Sequence, residues 1–135
     1  MGKAPLAATL TWRGDLRFEA SSGKNALMLD GDSAAGASPM QTLAFSIAGC
    51  MAMDVVDIVR KGRHAVRSME AQFSGDRAEE YPRRFLTIRL KFVIHGDVPG
   101  AAVERAIALS REKYCSVSAN LRPDIAFLTS YEVLP

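Results

Sequence analysis

The feature that most constrains this sequence is a continuous apolar run, Leu43–Met53, in which Ser46 is the main polar interruption. The run is 11 residues long, whereas a membrane-spanning helix needs about 20 apolar residues. We therefore expect no membrane span here. A helix that is apolar on nearly every side is normally buried. The run therefore predicts a helix that forms the core of the fold.

The residues that flank this run carry helix start and stop signals. Ser38 followed by Pro39 is typical of an N-cap and a first helical position. Arg60 and Lys61 suit the negative end of a helix dipole, and Gly62 is a typical stop. These signals predict one helix from Ser38 to about Lys61.

Alternation of apolar and polar residues predicts strands on both sides of this helix. The expected strands cover residues 6–12, 16–20, 26–30, 69–73, 86–94 and 125–133. A second helix is expected from Pro99 to about Val117. This order of elements predicts an α+β protein with an N-terminal sheet, a central helix and a second sheet. A length of 135 residues suits a single domain over the whole chain.

Composition and charge exclude several functional classes. The net charge is +2, and the arginines are scattered rather than arranged in a basic stripe, so we expect no nucleic-acid partner. The N-terminal residues lack the apolar segment of a signal peptide, so we expect a cytoplasmic protein. A permanent structural disulfide is rare in that compartment, so the two cysteines should be reduced thiols.

Those cysteines, Cys50 and Cys115, are the candidate chemical groups. Cys50 is expected in the middle of the apolar helix, and Asp54, four residues later, should share its face. A carboxylate beside a thiol raises the thiol pKa unless an arginine joins them. Cys115 is expected near the end of the second helix.

Spacing alone does not decide what the cysteines do. Free cysteines are ordinarily small apolar core residues. Their wide separation, with His64 and His95 at turn-like positions, does not match the spacing of metal ligands. The chain also lacks the Gly-x-Ser-x-Gly turn of many hydrolases. We therefore expect no metal and no bound cofactor.

A resemblance to a known family rests on the segments around both cysteines. These segments are Gly36-Ala37-Ser38-Pro39-Met40, Ala48–Val56 and Leu109–Val117, together with Pro82-Arg83-Arg84-Phe85 before the long strand. In this order they closely resemble the OsmC/Ohr family of osmotically inducible and organic hydroperoxide resistance proteins. The closest likeness is to the subgroup whose helix begins Ser-Pro-Met.

The resemblance implies an OsmC-like fold in which two sheets surround the long central helix of an intertwined homodimer. It implies an active site at the subunit interface, where Cys50 reduces an organic hydroperoxide and becomes a sulfenic acid. Cys115 would then resolve this acid into a disulfide, and a lipoyl-type dithiol would reduce the disulfide again.

One departure from the family pattern concerns a glutamate that the peroxidase members carry ten residues before the first cysteine and pair with an N-terminal arginine. That position is Met40 here, and its neighbour is Gln41. Arg13 is the expected arginine, with Arg17 as the other candidate. The departure leaves two alternatives open besides a peroxidase: a non-catalytic protein that binds an apolar ligand or senses redox state, and a structural domain with two inert cysteines.

Overall fold

The computed structural model describes residues 3–135. The chain divides into two compact units, one that ends at Phe45 and one that runs from Ser46 to Pro135. Together they contain two three-stranded sheets and a long helix, so the predicted α+β class is confirmed. That the chain forms a single domain stays a prediction.

The first unit is an antiparallel meander of three strands, β1 (Thr9–Trp12), β2 (Arg17–Ser22) and β3 (Asn25–Asp30), in that spatial order. All three predicted strands are present. β1 begins at Thr9 rather than Leu6, because in this register residues 6 and 7 lie opposite the turn at Gly23 and Lys24.

Asp30 organises the loop that follows β3. Its side chain is only 2% exposed. Its carboxylate accepts backbone N–H bonds from Asp32 at 2.9 Å, Ala34 at 3.3 Å and Ala35 at 2.9 Å. These bonds, the one from Ala35 above all, lower the pKa of Asp30 below its usual value.

The long helix α1 spans Pro39–Lys61, as predicted. Its first turn is closed by a reciprocal pair of hydrogen bonds. The N–H of Gln41 donates to Ser38 Oγ at 3.2 Å, and the N–H of Ser38 donates to Gln41 Oε1 at 2.9 Å. This is a capping box, so Gln41 serves the start of the helix.

In residues 3–135, the fully buried side chains of α1 lie on one face. Its buried residues recur every fourth position: Ile47, Met51, Val55 and Val59. On other faces, Phe45 is 64% exposed and Met53 is 71% exposed. The sequence predicted that α1 would be buried on nearly every side, whereas in the structure its buried residues lie on a single face.

By length and composition, with a mean hydropathy of 1.7, α1 would also suit a membrane span. The core helix of a soluble protein has the same composition, and three members of the buried stripe, Met51, Val55 and Val59, belong to the hydrophobic core of the second unit. We therefore assign α1 as a core helix.

The sheet of the second unit has β5 (Phe85–Asp97) at its centre, between β4 (Ala65–Arg77) and β6 (Ala126–Leu134). β4 pairs antiparallel with β5, and β6 pairs parallel with it. Alternate residues of β5 are buried, which confirms the predicted period of two. β5 also extends to Asp97, so His95 lies in a paired strand and not at a turn.

The second helix, α2 (Gly100–Leu109), is shorter than predicted. A π-helical turn over Ser110–Tyr114 follows it, and Cys115 has extended backbone angles, φ −76° and ψ 98°. The cause is a hydrogen bond of 2.8 Å from the Cys115 N–H to the Ser110 carbonyl, which closes a wider turn than the α-helical bond would. The prediction that Cys115 lies within the helix was wrong.

Candidate functional site

The fold of the second unit brings the two cysteines together. α1 places Cys50 and Asp54 one turn apart, and the loop after the π-helical turn brings in Cys115. The two sulfur atoms and a carboxylate oxygen of Asp54 all lie within 4.8 Å of one another. Both cysteines are free thiols. The prediction that Asp54 lies close to the Cys50 thiol is therefore confirmed.

Ser110 holds the carboxylate of Asp54 in place. Its hydroxyl donates to Asp54 Oδ2 at 2.8 Å. Ser110 is fully buried, whereas Asp54 is half-buried. Sequence reasoning missed Ser110, although this residue lies within the segment around Cys115 that carried the family resemblance.

The loop around Cys115 fixes the second thiol. Cys115 is 3% exposed, and its sulfur accepts the backbone N–H of Ser118 at 3.3 Å. The Ser118 hydroxyl in turn donates to the Cys115 carbonyl at 3.3 Å. Sequence reasoning also missed Ser118. Cys115 is thus held on the second unit by its own loop, close to the half-buried Cys50.

The electrostatic environment of Cys50 favours the neutral thiol. Burial raises the pKa of Cys50 above its usual value, and the neighbouring Cys115 and Asp54 raise it further. A hydrogen bond from the backbone of Val117 acts in the opposite direction. Asp54 therefore raises the pKa of the Cys50 thiol, as predicted from the sequence.

The predicted arginine, Arg13, belongs to the first unit. Its guanidinium lies 2.7 Å from the carboxylate of Glu19 on the neighbouring strand β2. Arg17, the other candidate, lies 3.7 Å from Asp15. The carboxylate that holds Arg13 therefore comes from position 19, and not from position 40 or 41. A role for Arg13 at the thiols stays a prediction.

A groove of about 480 Å³ runs between α1 and α2 and reaches Asp54. Its walls include Lys61, Arg105 and Tyr114. Lys61 is paired with Asp57 at 2.8 Å. The groove gives small molecules a path to the carboxylate that lies within 4.8 Å of both sulfur atoms.

Comparisons with known proteins agree with this architecture. Residues 30–129 match the family model described as OsmC-like protein. The protein YhfA of Escherichia coli K12 is 43% identical over 133 residues, which cover 96% of this chain and 98% of that protein.

Solved structures are similar over nearly the whole chain. A hypothetical protein from Aquifex aeolicus VF5 superposes with a TM-score of 0.90 at 30% identity, covering 97% of each chain. The organic hydroperoxide resistance protein OhrB of Bacillus subtilis superposes with a TM-score of 0.61 at 18% identity, covering 93% of this chain and 98% of that one. The second likeness concerns the fold alone.

Proposed function

Since this chain belongs to the OsmC-like protein family, we propose that it is a thiol-dependent peroxidase that reduces organic hydroperoxides. The observation that carries this proposal is the closeness of two free thiols, Cys50 and Cys115, on separate elements of the second unit. Three solved structures with this fold are named organic hydroperoxide resistance proteins.

In the proposed reaction, the deprotonated Cys50 sulfur attacks one oxygen of the hydroperoxide and the O–O bond breaks. The alkoxide leaves with a proton as an alcohol, and Cys50 becomes a sulfenic acid. Cys115 then attacks the Cys50 sulfur and expels water, which leaves a disulfide. An external lipoyl-type dithiol reduces this disulfide by two exchange steps and becomes oxidised itself.

The geometry suits the resolving step. The sulfur atoms of Cys50 and Cys115 are no more than 4.8 Å apart, and a disulfide bond is about 2.05 Å long. Cys115 lies in extended backbone beyond the helix, where a short displacement of the loop does not require a helix to unwind.

We propose a cytoplasmic homodimer as the working form, without a nucleic-acid partner. One chain leaves Phe45 and Met53 of α1 largely exposed, and a second copy would cover them. Arg13 would then approach a Cys50 thiol and favour its deprotonated form. An apolar environment at the interface favours alkyl hydroperoxides, since burial of each methylene contributes about 0.8 kcal/mol.

The test is consumption of cumene hydroperoxide with a dithiol reductant by the native protein and by two variants. We expect Cys50→Ala to lose turnover entirely. Without the dithiol, Cys115→Ala should consume one equivalent of peroxide and stop at the sulfenic acid, without forming the internal disulfide. Native turnover that does not exceed the Cys50→Ala background would refute the peroxidase.

A second candidate function is a non-catalytic protein that binds an apolar ligand or senses redox state. The raised pKa of Cys50 favours it, because a neutral thiol is a weak nucleophile. In this case the disulfide forms slowly and reversibly at a defined potential, and the native protein and Cys50→Ala consume peroxide equally.

A further inference from the structure

The convergence of Cys50, Cys115 and Asp54 has the chemistry of a metal site as well as that of a redox pair. Thiolate and carboxylate are both common ligands of zinc. In a tetrahedral zinc site with Zn–S bonds of about 2.3 Å, two sulfurs lie about 3.8 Å apart. The three ligand atoms here already lie within 4.8 Å of one another. Shifts of about 1 Å would therefore place all three around one ion.

Contacts outside these three groups orient them toward a common point. Cys115 accepts a hydrogen bond from the N–H of Ser118 at 3.3 Å. Ser110 orients the carboxylate of Asp54 from a fully buried position. Such outer contacts fix the direction of metal ligands and strengthen their binding.

The surroundings also leave part of the site accessible. Cys50 and Asp54 are half-buried, and Asp54 lines the groove of about 480 Å³ between α1 and α2. Three protein ligands with one open position are the arrangement of catalytic and exchangeable zinc sites. Water would occupy the fourth position.

Contrary to the expectation from ligand spacing along the chain, we propose that the reduced protein binds one Zn²⁺ ion through the sulfurs of Cys50 and Cys115 and the carboxylate of Asp54. On binding, each neutral thiol releases its proton to solvent and forms a sulfur–zinc bond, so that no oxidant or reductant is needed. The oxidised protein cannot bind the ion, because the disulfide and the zinc site require the same two sulfur atoms. The inference stands on these three side chains and not on peroxidase activity.

The first experiment is a titration of the reduced full-length protein with Co²⁺ and then with Zn²⁺. We expect the visible absorption of tetrahedral cobalt with thiolate ligands to saturate at one ion per chain, and Zn²⁺ to abolish it. Competition with a chromogenic chelator should give a zinc dissociation constant on the order of 1 nM, with about two protons released per ion. Protein oxidised to the disulfide with diamide should show no band.

Three variants separate this site from adventitious binding. Cys50→Ser should abolish the thiolate–cobalt band. Asp54→Asn retains an acceptor for Ser110 but removes the charge, and should weaken zinc binding at least about tenfold. Asp57→Asn is the control, since Asp57 lies on the same helix but pairs with Lys61, and it should bind zinc as the native protein does.

The proposal is overturned if the reduced native protein gives no tetrahedral cobalt spectrum, or if Asp54→Asn binds zinc as tightly as the native protein. Thermal melting of each variant checks that it folds. If Asp54→Asn does not fold, Cys50→Ser provides the decisive comparison. None of these measurements depends on peroxide turnover, so this proposal and the peroxidase can fail separately.

Discussion

A single hydroxyl determines the direction of the Asp54 carboxylate. The bond from Ser110 Oγ is 2.8 Å long and comes from a fully buried residue. It links α1 to the turn that precedes Cys115. At the scale of residues, the site therefore depends on Ser110 as much as on the three groups that can react.

The first prediction concerns this bond. Ser110→Ala should lower the free energy of unfolding by about 1.5–3 kcal/mol, the usual range for a hydrogen bond to a charged group. Urea denaturation followed by circular dichroism measures the change. Ser116→Ala, at an exposed position in the same segment, should change the free energy by less than about 0.5 kcal/mol. Equal losses in the two variants would contradict this role.

The second prediction concerns the contribution of Asp30 to the stability of the protein at low pH. Backbone hydrogen bonds lower its pKa in the folded protein below the usual 3.8. The ionised Asp30 carboxylate therefore stabilises the fold fully at a pH above its pKa in the unfolded chain. This stabilisation is lost as the pH falls through its lower pKa in the folded protein. Asp30→Asn should lower the melting temperature by several degrees at pH 7, and the difference from the native protein should shrink toward pH 3. A difference that is constant from pH 7 to pH 3 would disprove this linkage.

Sequence patterns located some residues of the site and not others. Helical spacing placed Asp54 beside Cys50 because both lie on one helix, one turn apart. No such rule links Asp54 to Ser110, which are 56 positions apart in the chain. Only the packed fold brings them together.

At the scale of elements, the start of α1 explains the glutamine at position 41. Its side chain accepts the Ser38 N–H at 2.9 Å, and its own N–H donates to the Ser38 hydroxyl at 3.2 Å. Glutamate and glutamine both suit this position of a capping box. Gln41 therefore closes the first turn of the helix without carrying a charge.

The third prediction tests this cap. Ser38→Ala and Gln41→Ala should each lower the free energy of unfolding by about 1 kcal/mol. The double variant should lose less than the sum, because each residue needs the other. Gln41→Glu should be as stable as the native protein or more so, since a negative charge is favoured in the first turn of a helix. Strict additivity would contradict the reciprocal bonding.

The elements were predictable wherever short-range patterns determine them. The run of alternating residues in β5 and the caps of α1 gave the correct type and nearly the correct bounds. α2 was predicted too long, because the widened turn after Leu109 depends on the bond between Cys115 and Ser110, which helical periodicity does not reveal. That error placed Cys115 in a helix, whereas it lies in the loop after the π-helical turn.

At the scale of the whole molecule, α1 presents an apolar face that its own chain leaves open. Phe45 and Met53 are exposed, and Gly49 lies between them at helical spacing. Apart from its chain neighbours and the adjacent backbone of α1, a Cβ atom added at Gly49 would meet no atom of residues 3–135 within 4 Å. The sequence could not show which face of this largely apolar helix would be buried.

The fourth prediction concerns assembly. We expect a dimer by sedimentation equilibrium, with α1 in the interface. Phe45→Glu should raise the dimer dissociation constant at least about 100-fold, because it places a charge where an aromatic side chain would be buried. Glu112→Gln, an exposed change, should leave the constant unchanged. A native protein that sediments as a monomer would refute this assembly.

The meeting of Cys50 and Cys115 also has a topological consequence. A bond between these sulfurs would close a covalent ring that contains β4, β5 and α2, so the unfolded chain would lose much of its freedom. For a ring of this size the chain-entropy relation gives about 4 kcal/mol of stabilisation. Oxidation would therefore make the protein more resistant to unfolding. Since proteases cleave unfolded chains, a cell protease would degrade the oxidised molecules more slowly than the reduced ones.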